Sequence, residues 1–161
     1  MKLVKSLSLS NEKVLIEKSA RDNHEVEGDE IYASVVRWNP YKDSAFGGGS
    51  FISLAHELAH SLDRILGTIN LKRWYSVYND EGIKTNILKA EIYATHYENL
   101  IRAEQGLSLR THYSQDENGN PAGGAILKNG NQSIYFDMLG NHKQKFGRIT
   151  KNNYIYKIKQ Q

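Results

Sequence analysis

The stretch Ser50-Phe51-Ile52-Ser53-Leu54-Ala55-His56-Glu57-Leu58-Ala59-His60-Ser61-Leu62-Asp63 decides how the rest of the chain is read. It carries the pattern H-E-x-x-H where a glycine run, Gly47-Gly48-Gly49, gives way to an apolar repeat of helical period. Side chains four apart on a helix lie one above the other, about 5–6 Å apart at Cβ. Both imidazoles can then reach one metal ion at roughly 2.0–2.1 Å. The glutamate after the first histidine can reach a water on that ion as a general base. With six His and eleven Glu in 161 residues, the pattern arises by chance about 0.015 times per chain. The plain alternative is an amphipathic helix with two polar histidines. Against it, Phe51, Leu54, Leu58, Leu62 and Ile65 form one apolar stripe, and His56, His60 and Asp63 cluster on the opposite side.

The length, 161 residues, suits one domain spanning 1–161 with a sizeable core, its motifs falling at 50–113. Composition is that of a globular protein, 39% hydrophobic and 24% charged. No apolar run reaches the length of a membrane span. The start, Met1-Lys2-Leu3-Val4-Lys5-Ser6-Leu7-Ser8, is too broken for a secretory signal, so export is expected by a signal-peptide-independent route or within a larger polypeptide. With no cysteine, disulfides, thiolate ligands and a Cys nucleophile are all excluded. Net charge is +3, with an acidic run from Asp22 to Glu30 and a basic tail holding Lys143, Lys145, Arg148, Lys151, Lys157 and Lys159. The tail reads as solvated surface, and no nucleic-acid motif accompanies it.

Along the chain, Val14–Glu17 reads as a strand, and Ile31–Trp38, ended by Asn39-Pro40, as the best strand. In many HExxH enzymes such a strand borders the cleft and pairs with extended substrate, which is the expectation for Ile31–Trp38. Asp43–Ser50 is a flexible connection, with Ser50 or a neighbour as N-cap. Its glycines do not make a phosphate cradle, since no G-K-[ST] or G-x-G-x-x-G is present. The HExxH helix is expected to run to about Leu66 with Gly67 as C-cap, and Leu71–Asn79 to form a loop or short helix over the core. A second helix is expected from about Asn86 to Gln105, closed by Gly106. Gln115–Gly130 reads as a loop or hairpin, and Ser133–Phe136 and Tyr154–Tyr156 as short strands.

The second helix has a tight polar side, Glu91, Thr95, Glu98 and Arg102, against an apolar side of Ala90, Tyr93, Ala94, Tyr97, Leu100 and Ile101. A third ligand must come from outside the first helix, because one straight helix cannot place three donors tetrahedrally. Asp63 therefore suits an outer carboxylate that orients a histidine or polar neighbour. Glu91 delivers a carboxylate from a new direction and leaves a fourth position for water. Glu98 is its rival, with the plainer role of an i, i+4 ion pair to Arg102. His96 falls outside the stripe and reads as a surface or interface histidine, while His112 lies in Arg110-Thr111-His112-Tyr113. Arg110 and Tyr113 suit a tetrahedral oxyanion, as donors to charge that develops only in the transition state.

These residues together resemble the NleD-like effector metallopeptidases, zinc proteases that Gram-negative bacteria deliver into other cells. The matching pattern is His56-Glu57-Leu58-Ala59-His60, Glu91-Ile92-Tyr93-Ala94, Glu98-Asn99, Arg102, Gly106, Arg110 and Tyr113, covering residues 50–113. The layout is also similar to clostridial neurotoxin light chains. The resemblance implies an α+β, zincin-like metalloprotease domain with an HExxH helix, a second ligand-bearing helix and a small mixed β-sheet. It implies one Zn²⁺ on His56, His60 and Glu91, with Glu57 as base and Arg110 and Tyr113 as transition-state stabilisers. It further implies a protein substrate in a target cell, host kinase-like or bacterial, with no nucleic acid or membrane as partner. A cognate immunity protein or secretion chaperone goes with such delivery. A non-catalytic binding module with a structural or vestigial metal site is the alternative; an intact Glu57 and R-x-x-Y pair argue against it.

Overall fold

The computed structural model describes residues 2–20, 22–25, 32–78, 81–116, 118–141 and 153–159, so most of the acidic run and the basic positions between 142 and 152 lie outside the described residues. The order is α1 (Lys2–Ser8), β1 (Val14–Lys18), β2 (Asn23–Glu25), β3 (Ser34–Trp38), α2 (Ser50–Ile65), β4 (Arg73–Tyr78), β5 (Lys84–Leu88), α3 (Ala90–Glu104), β6 (His112–Gln115), β7 (Pro121–Ala125), β8 (Leu127–Lys128), β9 (Gln132–Asp137) and β10 (Asn153–Ile155). This is a mixed α and β architecture. Among the described residues the strands are spread over four small sheets rather than one: β1-β3-β2, β10-β9-β8 and the hairpins β4-β5 and β6-β7. No described helix is long and apolar enough to cross a membrane.

The first sheet is mixed, with β3 parallel to β1 and antiparallel to β2. Val35 and Val36 are wholly buried at its centre. β3 therefore has both edges occupied, which corrects the expectation that it lies open to extended substrate. The sheet holds α2 by polar stitches: Trp38 Nε1 donates to the Ser50 carbonyl at 2.8 Å, and Ser34 Oγ to Ser61 Oγ at 2.8 Å. Arg64 Nε reaches the Ala33 carbonyl at 3.1 Å.

α2 begins after three glycines at positive φ, and Gly48 shows why no other residue serves: a Cβ there would meet Leu107 Cδ1 at 2.8 Å. The N-cap is Gly49 with no side-chain cap, and Ser50 is the first helical residue. The Asp43 carboxylate instead accepts the N–H groups of Ser44 and Gly49, fixing the loop. Both α2 and α3 end in the same way. Gly67 N–H bonds the Arg64 carbonyl and Thr68 N–H that of Asp63; Gly106 and Leu107 repeat this on Ala103 and Arg102, with both glycines at positive φ.

The buried face of α2 is Ile52, Ala55, Leu58, Ala59 and Leu62, joined by Leu3 of α1, Val36, and Ala94 and Ile101 of α3. Phe51 is 45% exposed, so the apolar stripe is rotated from the one expected, because α2 is covered on two sides. The sheet takes one side and α3 the other, and the polar side with His60, Ser61 and Asp63 is buried as well. Each fully buried leucine of this kind contributes roughly 1.5–3 kcal/mol.

Three other expectations are corrected. Arg73–Tyr78 is a strand rather than the loop or short helix expected across Leu71–Asn79, of which Asn79 lies outside the described residues: Trp74, Tyr75, Val77 and Tyr78 are β-formers, and β4 pairs antiparallel with β5. The second helix starts at Ala90 rather than Asn86, since Thr85 to Leu88 complete β5. His96 is 3% exposed, stacked on Phe136 at 3.7 Å and bonded to the Tyr156 hydroxyl. It belongs to a second core where Ala103 of α3 meets Ile126, Leu127 and Tyr156. Two turns share one five-residue design. Asp116 and Asp137 each accept two backbone N–H groups through Oδ1 and an Asn side-chain NH₂ through Oδ2, from Asn120 and Asn141 respectively.

Candidate metal centre

The 16-residue α2 brings His56 and His60 to the interface with α3, their ring centroids 5.0 Å apart and the planes at 78°. Glu91 sits in the first turn of α3. Its Oε2 lies 3.0 Å from His56 Nε2 and 3.3 Å from His60 Nε2. Donors bound tetrahedrally at 2.0–2.1 Å are separated by about 3.3 Å from one another. The three donor atoms thus already stand near the edges of such a coordination shell, all within 4.8 Å of one another. Two imidazoles and one carboxylate leave a fourth position open. The residues present fit a divalent metal.

Glu98 lies outside this triad and takes a different part. It is 2% exposed, yet each oxygen is engaged: Oε1 accepts Arg102 Nε at 2.8 Å, and Oε2 accepts Arg110 Nη1 at 2.8 Å and meets His56 Nδ1 at 3.2 Å. A carboxylate on Nδ1 fixes which ring nitrogen faces the ion. The i, i+4 ion pair between Glu98 and Arg102 that the spacing suggested is present, and both partners are buried. Arg102 spends its other donors on the carbonyls of Gly47 at 2.9 Å and Ser108 at 3.2 Å. It thereby ties the loop before α2 and the loop after α3 to one carboxylate.

Arg110 is clamped as closely. Asn99 exchanges two bonds with its backbone, Nδ2 to its carbonyl at 2.9 Å and its N–H to Oδ1 at 2.8 Å. The guanidinium lies over Phe46 at 3.8 Å and Tyr113 at 4.6 Å, and donates to the carbonyls of His112 and Tyr113. His112 is not part of the ligand cluster; its Nδ1 lies against Thr111 Oγ1 at 3.1 Å. Asp63 accepts the Thr68 hydroxyl and lies near enough to His60 to feel its attraction.

The electrostatics follow from this crowding. Burial alone would lower His56, but Glu91 and Glu98 outweigh it and raise the imidazole to about 10. Burial would raise Glu91 and Glu98, yet the histidines and, for Glu98, the two arginines hold both well below the carboxylate range. Glu57 goes the other way: burial lifts it, opposed by the two histidines. Burial and the neighbouring Glu91 carboxylate push the Tyr113 phenol far up, so it stays a donor.

Residues 2–113 match the family model Peptidase M91, described as "Effector protein". The chain belongs to this family of effector peptidases. No curated protein and no solved structure matches the chain. The M91 match ends at Tyr113, the last residue of the constellation; β7 to β10 lie beyond it.

Within the M91 region, sequence reasoning missed Phe46 under Arg110, the Asn99 clasp and the part of Glu98 in holding His56. One signal was legible. Asn99 falls four after Thr95 and three before Arg102, on a helix side too polar for a core and too ordered for solvent. Trp74 and Tyr75, discussed below, gave no such signal.

Proposed function

We propose that this M91 member is a zinc-dependent endopeptidase with a zincin-like single domain, delivered as an effector to cleave a protein in a target cell. The observation that carries the reading is the convergence of His56 Nε2, His60 Nε2 and Glu91 Oε2 within 4.8 Å on two packed helices. Zinc suits this donor set, which combines borderline imidazoles with one carboxylate and no thiolate. When bound, the ion would polarise the scissile carbonyl and make a water nucleophilic near neutral pH.

Glu57 takes the proton that the attacking water gives up and returns it to the leaving amine. Its raised pKa supports that double duty, since a base that must later act as an acid works best near the operating pH. Tyr113 donates its hydroxyl proton in a hydrogen bond to the oxyanion, and Arg110 adds positive charge alongside. Arg110 also acts through Glu98, whose grip on His56 Nδ1 keeps Nε2 turned toward the ligand cluster. The expected partners are a protein substrate and, for a delivered toxin, an immunity protein or secretion chaperone.

The test pairs metal analysis with mapping of new protein N-termini in lysates treated with wild type or Glu57→Gln. The expected result is one metal equivalent in both proteins and new termini only with wild type. Equal cleavage by both would remove Glu57 from the mechanism, and absence of metal from both would remove the reading altogether.

A further inference from the structure

Two consecutive residues of a regular strand point to opposite faces of its sheet. Trp74 and Tyr75 of β4 break that rule. The register steps from Arg73↔Leu88 to Tyr75↔Ile87, two residues of β4 against one of β5, so Trp74 is the extra residue of a β-bulge. Both rings consequently reach the same backbone point on β7. A Cβ on Gly124 would lie 2.7 Å from Tyr75 Cε1, 2.9 Å from Trp74 Cη2 and 3.0 Å from Tyr113 Cβ. A Cβ on Gly123 would meet Tyr75 Cε2 at 3.1 Å. Only a bare backbone leaves room for both aromatic rings, and Gly124 also sits at φ +62°.

We infer that the bulged pair Trp74–Tyr75, seated on Gly123–Gly124, is the positioning device that fixes Tyr113 beside Glu91. Four contacts close it. Tyr75 hydroxyl and Ser114 Oγ share a hydrogen bond of 2.5 Å, pinning the residue next to Tyr113. Trp74 lies edge-on to Tyr113 with centroids 6.3 Å apart. Trp74 is itself set edge-on to Tyr75 at 5.1 Å and Tyr135 at 5.7 Å, and packs on the second core. β6 and β7 pair Ser114 with Gly123, so the glycine seat and Tyr113 belong to one hairpin. From the α3 side, Arg110 bonds the Tyr113 carbonyl and lies over its ring at 4.6 Å. The β4 aromatics add a second, independent constraint on the ring. A misplacement of about 1 Å at such a site costs roughly 10²-fold in rate.

The inference rests on the proposed role of Tyr113, and two separate readouts keep the two apart. 3-Fluorotyrosine placed at Tyr113 reports its order by ¹⁹F NMR without any turnover. Trp74→Leu and Gly123→Ala disturb the seat from opposite sides, and the second keeps every aromatic ring. Each is expected to shift and broaden the fluorine resonance while metal content stays at the wild-type level. An unmoved resonance in both variants, in folded protein, overturns the inference whatever the activity. In the turnover arm, Trp74→Leu is expected to lower kcat about 10- to 100-fold with KM nearly unchanged. Added to Tyr113→Phe it should cost nothing further, because the ring it positions has lost its hydroxyl. Losses that multiply would show Trp74 acting elsewhere and would also overturn the proposal. A wild type with no peptidase activity sinks the proposed function alone, and the fluorine arm still decides the positioning.

Discussion

Glu98 and His56, 42 residues apart in sequence, meet through Oε2 and Nδ1 at 3.2 Å, and the same Oε2 accepts Arg110 Nη1 at 2.8 Å. One buried oxygen thus links an expected metal ligand to an expected oxyanion donor. Glu98→Gln preserves the shape and removes the charge that both neighbours use. Metal affinity should fall about 10- to 100-fold, the usual effect of losing such an outer partner. Stability should fall by roughly 3–5 kcal/mol, since Arg102 and Arg110 are left buried beside a neutral amide. Chelator competition and urea titration measure the two effects separately.

Glu91→Ala tests the ligand assignment itself. With two donors left, one ion per chain should no longer survive dialysis, whereas Glu98→Gln still retains it at saturating metal. Metal analysis after gel filtration gives the answer, and normal retention by Glu91→Ala would transfer the ligand role to Glu98.

Metal uptake should depend on pH with a definite sign. In the metal-free protein the carboxylates hold His56 up to about 10, against burial, and ligation needs the neutral ring. Each ion therefore displaces a proton, and apparent affinity should rise about tenfold per pH unit from neutrality toward pH 10, then level off. The same shift stabilises the metal-free fold below His56's ordinary value of 6.5, a contribution lost as pH rises through about 10. Melting curves of metal-free protein should accordingly fall toward alkaline pH, and calorimetry in buffers of different ionisation heat should count the released proton.

Tyr113→Phe removes one hydroxyl from a half-buried ring. Turnover should drop about 10²–10³-fold, the scale of one lost oxyanion donor, with metal content unchanged. Steady-state kinetics on a mapped cleavage peptide would show the loss in kcat, and an unaltered kcat would remove Tyr113 from the chemistry.

Helical spacing made much of the constellation legible. Four-residue steps put His56 over His60, and the stripe from Glu91 to Arg102 announced a polar helix face that needed a partner. What spacing could not supply was the environment of that face. Nothing local distinguishes an i, i+4 pair in water from Glu98–Arg102 under two loops, because burial is set by Gly47 and Ser108, far along the chain. His96 was misplaced for the same reason: Phe136 and Tyr156, which cover it, come 40 and 60 residues later. Leu71–Asn79 was misread because its aromatics lack clean alternation, and the β-bulge at Trp74 is the cause.

The clasp around Glu98 has a consequence for charge. On the polar side of α3 the Glu98 carboxylate meets two guanidiniums, Arg102 and Arg110, while Glu91 meets His56, which keeps its proton until an ion displaces it. Held by two neutral imidazoles and Glu91, a dication would add a positive field at the mouth of the site. That field is what a peptide carbonyl would meet as it turns into an anion, with Arg110 adding to it.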